Sequence, residues 1–298
     1  MSRLRISAIS YLNTAPLMWD FQHGPAASHF DITYTLPSGC ALALESGTAD
    51  IGIIPAAAYA RIPNLRILPG VAIASRRAVR SILLVSRLPM DQVKTVALDT
   101  SSMTSVALTK VIFEKWLGGG RRFLSMLPDL DRMLAKCDAG LLIGDPALLV
   151  DRSRYHTLDL AEEWIRHTGK PFVFAFWAVR QDALRADQDG SRGDSRPRLS
   201  ASQREANEQE RDLPAIFQQS RDHGLQPENL SEICREWAPR LGISEMDVRS
   251  YLTENIHYQL DPGCLEGLQL FYRYASEIGA LPTAPELCFA GTAKAATI

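Results

Sequence analysis

Three short polar segments carry the side chains with which this sequence could bind or convert a small anionic molecule. The first contains Tyr11, Asn13 and Thr14, the second contains Ser38, and the third is the run D-T-S-S-M-T-S that begins at Asp99. Each segment precedes a predicted helix, whose exposed N–H groups and dipole attract anions. Ser, Thr, Asn and Asp also cap helices without binding anything, so one such turn alone indicates only capping. Three of them together favour a small-molecule site.

The polar turns lie where predicted strands end. Apolar segments of strand length span residues 4–9, 30–36, 50–54 and 94–98, and helix-like segments follow them. This alternation predicts an α/β fold with a mainly parallel sheet covered by helices. In such sheets ligands bind at the carboxyl ends of the strands, which is where the polar turns stand.

Two further apolar segments predict a division into two lobes. Residues 80–86 and 171–180 are of strand length and free of internal turn signals, and we predict that they cross between the lobes. Lobe one then comprises residues 1–81 and 176–298, including a helical C-terminal part, and lobe two comprises residues 82–175. Facing lobes form a cleft suited to a small molecule that carries carboxylates or phosphate.

The segment 186–207 has a different composition from the rest of the chain. It is polar, charged and nearly free of apolar side chains. Because such a segment cannot bury enough apolar surface to join a core, we predict a flexible surface insertion there.

Asp145 is a further candidate for the cleft. It follows Gly144 and an apolar strand, so its carboxyl group could point between the lobes. Capping of the turn into Pro146 is at least as good an interpretation of the same residues.

The bulk properties exclude several classes of protein. The chain has 298 residues, 46% of them apolar, and a formal charge of -2, which predicts a globular protein without a general attraction to nucleic acid. No apolar run reaches the roughly 20 residues of a membrane span, and the N-terminal segment lacks the pattern of a signal peptide. The five cysteines form no C-x-x-C pair and fit reduced thiols. We expect a cytoplasmic protein with neither a nucleic-acid nor a membrane partner, and the oligomeric state stays open.

The sequence also lacks the usual cofactor and metal motifs. It contains no G-x-G-x-x-G, no P-loop, no H-E-x-x-H and no G-x-S-x-G. Its six histidines stand in polar or charged segments, where surface positions are more common than metal ligation. We therefore predict neither a metal nor an organic cofactor.

Six segments in order carry a more specific pattern. They are I-S-Y-L-N-T-A-P-L, P-S-G-C-A-L-A-L-E-S-G-T-A-D-I-G-I-I-P, R-S-I-L-L-V-S, V-A-L-D-T-S-S-M-T-S-V-A-L, G-D-P-A-L and D-L-A-E-E-W-I-R-H-T-G-K-P-F-V-F-A-F-W. Together the set resembles the chorismate dehydratase family of the futalosine route to menaquinone. The resemblance implies a two-lobed fold like that of type II periplasmic binding proteins. Relative to the family, residues 186–207 look like an insertion.

The resemblance also implies a reaction. The family consists of carbon–oxygen lyases (hydro-lyases) that remove water from chorismate to give 3-[(1-carboxyvinyl)oxy]benzoate. Loss of the ring hydroxyl and the neighbouring proton makes the ring aromatic, so no metal or organic cofactor is required. Because the turns offer no obvious strong base, we expect the side-chain carboxylate of the substrate to take the proton.

Site residues follow from the resemblance as expectations. Asn13 is the first candidate for a catalytic residue, in contact with the ring or the departing hydroxyl, and Ser81 is the second. The expected substrate-binding residues share a polar side chain at a strand end. They are Tyr11, Thr14, Ser38, Ser101, Ser102, Thr104, Ser105 and Asp145.

Two alternative functions stay open at this point. A 1,4-dihydroxy-6-naphthoate synthase-like enzyme of the same pathway shares the fold, but the turns look closer to the dehydratase pattern and we find no well-placed histidine. A non-catalytic small-anion-binding protein is the other alternative.

Overall fold

A computed structural model describes residues 3–184 and 212–291 of the chain. Within these ranges the chain forms two five-stranded sheets with helices packed around them. The insertion expected at residues 186–207 lies outside the described residues.

The first sheet is built around the N-terminal strand. In spatial order its strands are β2 (Phe30–Thr35), β1 (Leu4–Ile9), β3 (Ile51–Pro55), β10 (Phe172–Arg180) and β4 (Leu65–Ser75). Strand β1 runs parallel to β2 and β3, whereas β10 runs antiparallel to β3 and β4. All residues of β10 except the last are buried, which explains its nearly continuous apolar sequence.

The second sheet has a similar plan. In spatial order its strands are β7 (Arg122–Met126), β6 (Thr95–Asp99), β8 (Ala139–Ile143), β5 (Ile82–Ser86) and β9 (His156–Asp159). Strand β6 is parallel to β7 and β8, and β5 is antiparallel to β8 and β9. Every residue of β5 and β8 is buried.

Both sheets are mixed, so the expectation of a mainly parallel sheet was wrong. In each sheet the strand with antiparallel neighbours is one of the two segments predicted to cross between lobes, β10 in the first and β5 in the second. A strand that arrives from the other sheet does not need a helical crossover, so it can run against its neighbours.

The lobe boundaries at 81/82 and 175/176 stay a prediction. Strand β5 pairs with strands of the second sheet from Ile82 onwards, and β10 pairs with strands of the first sheet from Phe172 onwards. Pairing with the second sheet thus begins at the first residue predicted for lobe two, and pairing with the first sheet begins four residues before the predicted return to lobe one.

Helices follow most of the strands. The first group comprises α1 (Trp19–Gln22), α2 (Pro37–Glu45), α3 (Ala56–Tyr59), α4 (Thr104–Trp116), α5 (Leu130–Lys136), α6 (Gly144–Leu148) and α7 (Leu160–Thr168). The C-terminal part contains α8 (Leu213–Gly224), α9 (Pro227–Leu241), α10 (Glu245–Ser250) and α11 (Pro262–Glu277). A 3₁₀ segment at Leu12–Met18 precedes α1, and a single π turn at Tyr251–Asn255 follows α10.

An aromatic cluster fixes the two sheets relative to each other. Trp164 of α7 is fully buried and meets Phe172 of β10 and Phe271 of α11 edge to face, with ring centroids 5.2 and 6.3 Å apart. Such pairs contribute about 0.5–1.5 kcal/mol each beyond the burial of their area. Because α7 follows a strand of the second sheet and β10 belongs to the first, this packing stabilises the connection between them.

No helix in the described ranges is long and apolar enough to span a membrane. All five cysteines lie in these ranges as free thiols. Burial raises the pKa of the Cys40 thiol to about 11 and that of Cys264 to about 12, so both stay protonated at neutral pH and pack as apolar groups.

Candidate active site

The polar turns of the two sheets meet at one interface. Among the hydrogen bonds that join them, Leu12 N–H donates to Oδ1 of Asp145 and Ser38 N–H donates to the carbonyl of Ser101, each at 3.1 Å. Both N–H groups belong to helix starts that follow strands of the first sheet, where anions are expected to bind. In this structure, oxygen atoms from the second sheet's turns accept both of these N–H groups.

Asn13 and Ser81 are brought together by Tyr251, a residue that the sequence analysis missed. The hydroxyl of Tyr251 donates to Ser81 Oγ at 2.7 Å, and the Asn13 side chain acts on the same phenol to lower its pKa. All three residues are buried. Burial raises the pKa of Tyr251 above its ordinary value, so the phenol is a protonated donor at neutral pH.

Tyr251 begins the π turn of the C-terminal part. Single π turns are rare and are frequent at functional sites. A single sequence carries no recognised pattern for a π turn. Only the structure therefore identifies Tyr251 as a residue of the candidate site.

A second chain of hydrogen bonds organises the turn after β6. Asp99 Oδ1 accepts both the backbone N–H and the hydroxyl of Ser101, at 2.8 and 2.6 Å. The Ser101 oxygen in turn is a hydrogen-bond partner of the Tyr11 phenol. Burial raises the pKa of Asp99, although the bonds from Ser101 act to lower it. Asp99 begins the polar run of the sequence but was not among the predicted site residues, although an Asp that hydrogen-bonds two residues ahead is a known turn pattern.

The hydroxyls of Thr14 and Thr104 serve the backbone. Thr14 Oγ1 donates to two carbonyls of its own turn, at 2.6 and 2.7 Å. Thr104 Oγ1 donates to the carbonyl of Phe174 at 2.9 Å and accepts the N–H of Ala57 at 3.1 Å, which ties α4 to the first sheet. Their role in substrate binding stays a prediction, and both hydroxyl hydrogens are already donated to carbonyls.

Tyr11, Ser102 and Ser105 complete the predicted set. Ser102 Oγ accepts the Ser105 N–H at 3.3 Å, and both serines are buried at the start of α4. The ring of Tyr11 lies against Gly144, where an added Cβ would come within 2.6 Å of it. Gly144 also has a φ of +64°, so close packing and backbone conformation both require glycine.

Asp145 is the acidic group that links the two halves of the interface. Burial raises the pKa of its carboxyl group to about 6, and the N–H of Leu12 only partly offsets this. Asp145 therefore changes its charge in the weakly acidic range, close to the residues that the sequence assigns to catalysis.

This shift predicts how stability depends on pH. The folded protein binds the Asp145 proton up to a higher pH than the unfolded chain does, so Asp145 makes the protein less stable as the pH rises from about 4 to about 6. We expect Asp145→Asn to abolish this loss. Its free energy of unfolding relative to wild type should improve by about 1 kcal/mol between pH 5 and pH 8, as measured by urea denaturation at both pH values.

Asp138 provides the control of opposite sign. Burial acts to raise its pKa, but hydrogen bonds from Lys94 and Thr95 lower the pKa below the usual value. Its stabilising effect is complete above pH 4, so Asp138→Asn should destabilise the protein equally at pH 5 and pH 8. If the free energy of unfolding of Asp145→Asn differed from that of wild type by the same amount at pH 5 and pH 8, the raised pKa of Asp145 would be contradicted.

One group of side chains outside this interface has the composition of a metal site. Ligand atoms of His257, Asp261 and Cys264 lie within 4.8 Å of one another. The Asp261 carboxylate, however, accepts His257 Nε2 and Arg76 Nη2, both at 2.6 Å, and caps α11 by accepting the Cys264 N–H at 3.0 Å. Burial acts to raise its pKa, but these bonds lower it to about 2. The group is a satisfied network that joins β4 to α11.

Comparison with known proteins identifies the family. A family model described as menaquinone biosynthesis matches residues 4–277. The chain belongs to this family. One relative is the chorismate dehydratase of Thermus thermophilus. It is 27% identical to this chain over 293 aligned residues, and the match covers 92% of this chain and 94% of the relative.

Solved structures show the same fold at low sequence identity. Protein AF1704 from Archaeoglobus fulgidus has a TM-score of 0.60 and 16% identity, and the match covers 94% of this chain and 98% of that one. The aliphatic sulphonate binding protein SsuA from Escherichia coli also has a TM-score of 0.60 and 16% identity, covering 97% and 95% of the two chains. These likenesses confirm the predicted periplasmic-binding-protein-like fold.

Proposed function

We propose that this member of the family is a chorismate dehydratase, a hydro-lyase that converts chorismate into 3-[(1-carboxyvinyl)oxy]benzoate and water. The observation that carries the proposal is the similarity to the Thermus dehydratase over 92% of the chain. The interface between the sheets supports it, because hydroxyl, amide and backbone N–H groups from several strand ends converge there. We also propose that the enzyme acts in the cytoplasm, in keeping with its free thiols.

The chemistry needs little more than orientation and charge stabilisation. The proton lost from the ring is acidified through the conjugated ring carboxylate, and departure of the neighbouring hydroxyl makes the ring aromatic. One proton and one hydroxide leave, so the products are the aromatic ether and one water. Correct positioning of reacting groups can lower a barrier by about 7–11 kcal/mol, and preorganised donors add to this.

The two substrate carboxylates suit the helix-start N–H groups of the first sheet. The N–H groups of Leu12 and Ser38 are held by Asp145 and by the Ser101 carbonyl in the closed structure. The interface must open for chorismate to enter, and substrate carboxylates then replace these two oxygens. Reclosure buries the ring against Asn13 and excludes water, which strengthens every hydrogen bond inside the site.

The first experiment is incubation of the purified protein with chorismate, followed by chromatography and mass spectrometry. We expect an aromatic product lighter than chorismate by one water, formed without added metal or cofactor. An analogue that lacks the side-chain carboxylate should bind without reacting, because that carboxylate is the proposed proton acceptor. Normal turnover of the analogue would contradict substrate assistance and leave the dehydratase activity in place.

Unchanged chorismate would overturn the proposal. The substrate of the 1,4-dihydroxy-6-naphthoate synthase would then be tried under the same conditions. If neither compound were converted, binding of chorismate measured by calorimetry would identify a protein that keeps the site without the reaction.

A further inference from the structure

We propose that Tyr251 is a positioning residue for the dehydration, which holds Ser81 so that the serine donates its own hydroxyl hydrogen to the reacting substrate. The inference rests on the proposed function and extends it to a residue of the C-terminal helical part. Tyr251 lies 170 positions from Ser81 in the chain and bonds to it at 2.7 Å.

The direction of this hydrogen bond sets the chemistry of Ser81. A serine hydroxyl has one hydrogen to donate and two lone pairs that accept. Because Ser81 Oγ accepts the Tyr251 hydrogen, its own hydrogen stays available for another oxygen. Two hydroxyls in series in a buried site polarise each other, which makes the terminal one a stronger donor. A hydrogen-bond donor can stabilise the departing hydroxyl or the negative charge that spreads onto the ring carboxylate.

The backbone around Ser81 is held as firmly as its side chain. The carbonyl of Ser81 accepts the N–H of Gly144 at 2.8 Å, and this bond holds the Ser81 backbone against the start of α6. The preceding residue, Arg80, has a φ of +64°, a conformation that costs a non-glycine residue free energy. The carboxylate of Asp159 maintains this conformation by accepting the N–H groups of Val79 and Arg80 at 3.1 and 2.7 Å. Strain that is maintained in this way is typical of functional sites.

Tyr251 also connects the two candidate catalytic residues. Its phenol has the Asn13 side chain as a second partner, and the charges of Asp145 and Arg80 act on it. One buried hydroxyl thus lies between an amide of the segment that follows β1 and a hydroxyl of the connection between the sheets. A position that served only the core would not need the O–H group, because phenylalanine has the same ring.

The experiment compares Tyr251→Phe with wild type in steady-state turnover of chorismate. We expect kcat to fall about 10- to 100-fold, the effect of removing one buried hydrogen bond from the transition state, while KM changes less than about threefold. Ser81→Ala should also lower kcat, and the double variant should be less than about threefold slower than Ser81→Ala alone. Such non-additivity is the signature of two residues that act as one unit.

Tyr272→Phe is the matched control. Its phenol is equally buried and donates to the Ala56 carbonyl at 2.7 Å, and no hydrogen bond among the described residues joins it to Asn13 or Ser81. We expect kcat of this variant to stay within about twofold of wild type, with thermal unfolding of both variants measured alongside. Equal effects of Tyr251→Phe and Tyr272→Phe on kcat, or additive effects of Tyr251→Phe and Ser81→Ala, would overturn the inference and leave the dehydratase in place. A wild-type protein that does not convert chorismate would instead overturn the proposed function, and this inference with it.

Discussion

Replacement of Asn13 by leucine is expected to abolish most of the turnover of chorismate while the protein remains folded. Asn13 is 8% exposed, follows β1 in the 3₁₀ segment and has Tyr251 as a side-chain partner. Leucine has a similar volume but no polar group, so the change removes the amide and little else. Loss of one preorganised donor in a buried active site typically lowers kcat by about 100- to 1000-fold. We expect a fall of at least about 100-fold, measured by the rate of product formation.

Asn229→Leu is the control for this substitution. The amide of Asn229 donates to the carbonyl of His223 at 2.8 Å at the end of α8, and no hydrogen bond among the described residues joins it to Asn13, Ser81 or Tyr251. Turnover of this variant should stay close to that of wild type. If a folded Asn13→Leu protein also turned over chorismate at nearly the wild-type rate, Asn13 would have no catalytic role.

The strand ends were predictable because they depend on local patterns. The bounds of β1 (Leu4–Ile9) and β6 (Thr95–Asp99) lie within one residue of the apolar segments 4–9 and 94–98 of the sequence. A proline stands at the first turn of α2, and Asp129 caps the start of α5. Both residue types are common at helix starts, so they indicate the start from the local sequence alone. Since ligands of α/β folds bind where such strands end, Asn13 and the serines after β6 could be nominated in the same way.

Pairing between distant segments could not be predicted. Strands β7 and β9 are short and partly exposed, and their sequences have no strict alternation that would mark them. The bond from Tyr251 to Ser81 spans 170 positions, and the tyrosine stands in a segment that reads simply as helix. The direction of β5 and β10 likewise follows from how the chain passes between sheets, which no local pattern records.

Helix α8 shows how a distant element positions the candidate site. It lies against the 3₁₀ segment that carries Asn13, and Ser220 donates to the carbonyl of Leu17 at 2.9 Å while it accepts the N–H of Asp20 at 3.0 Å. One turn further along the helix, Gly224 is so close that an added Cβ would lie 2.1 Å from the carbonyl oxygen of Pro16. A real Cβ does not approach backbone this closely, so the helix and the 3₁₀ segment would have to separate.

Gly224→Ala is therefore expected to destabilise the protein by about 2–4 kcal/mol, which is large for the addition of one methyl group. Chemical denaturation would measure the loss, and kcat should fall as well because the displaced segment carries Asn13. Gly242→Ala is the matched control: Gly242 also ends a helix, at φ +67°, but has nothing within 4 Å of its missing Cβ. Its cost should be about 1 kcal/mol of backbone strain, with kcat unchanged. If both substitutions cost the same and neither changed kcat, close packing of α8 would not be what holds Asn13 in place.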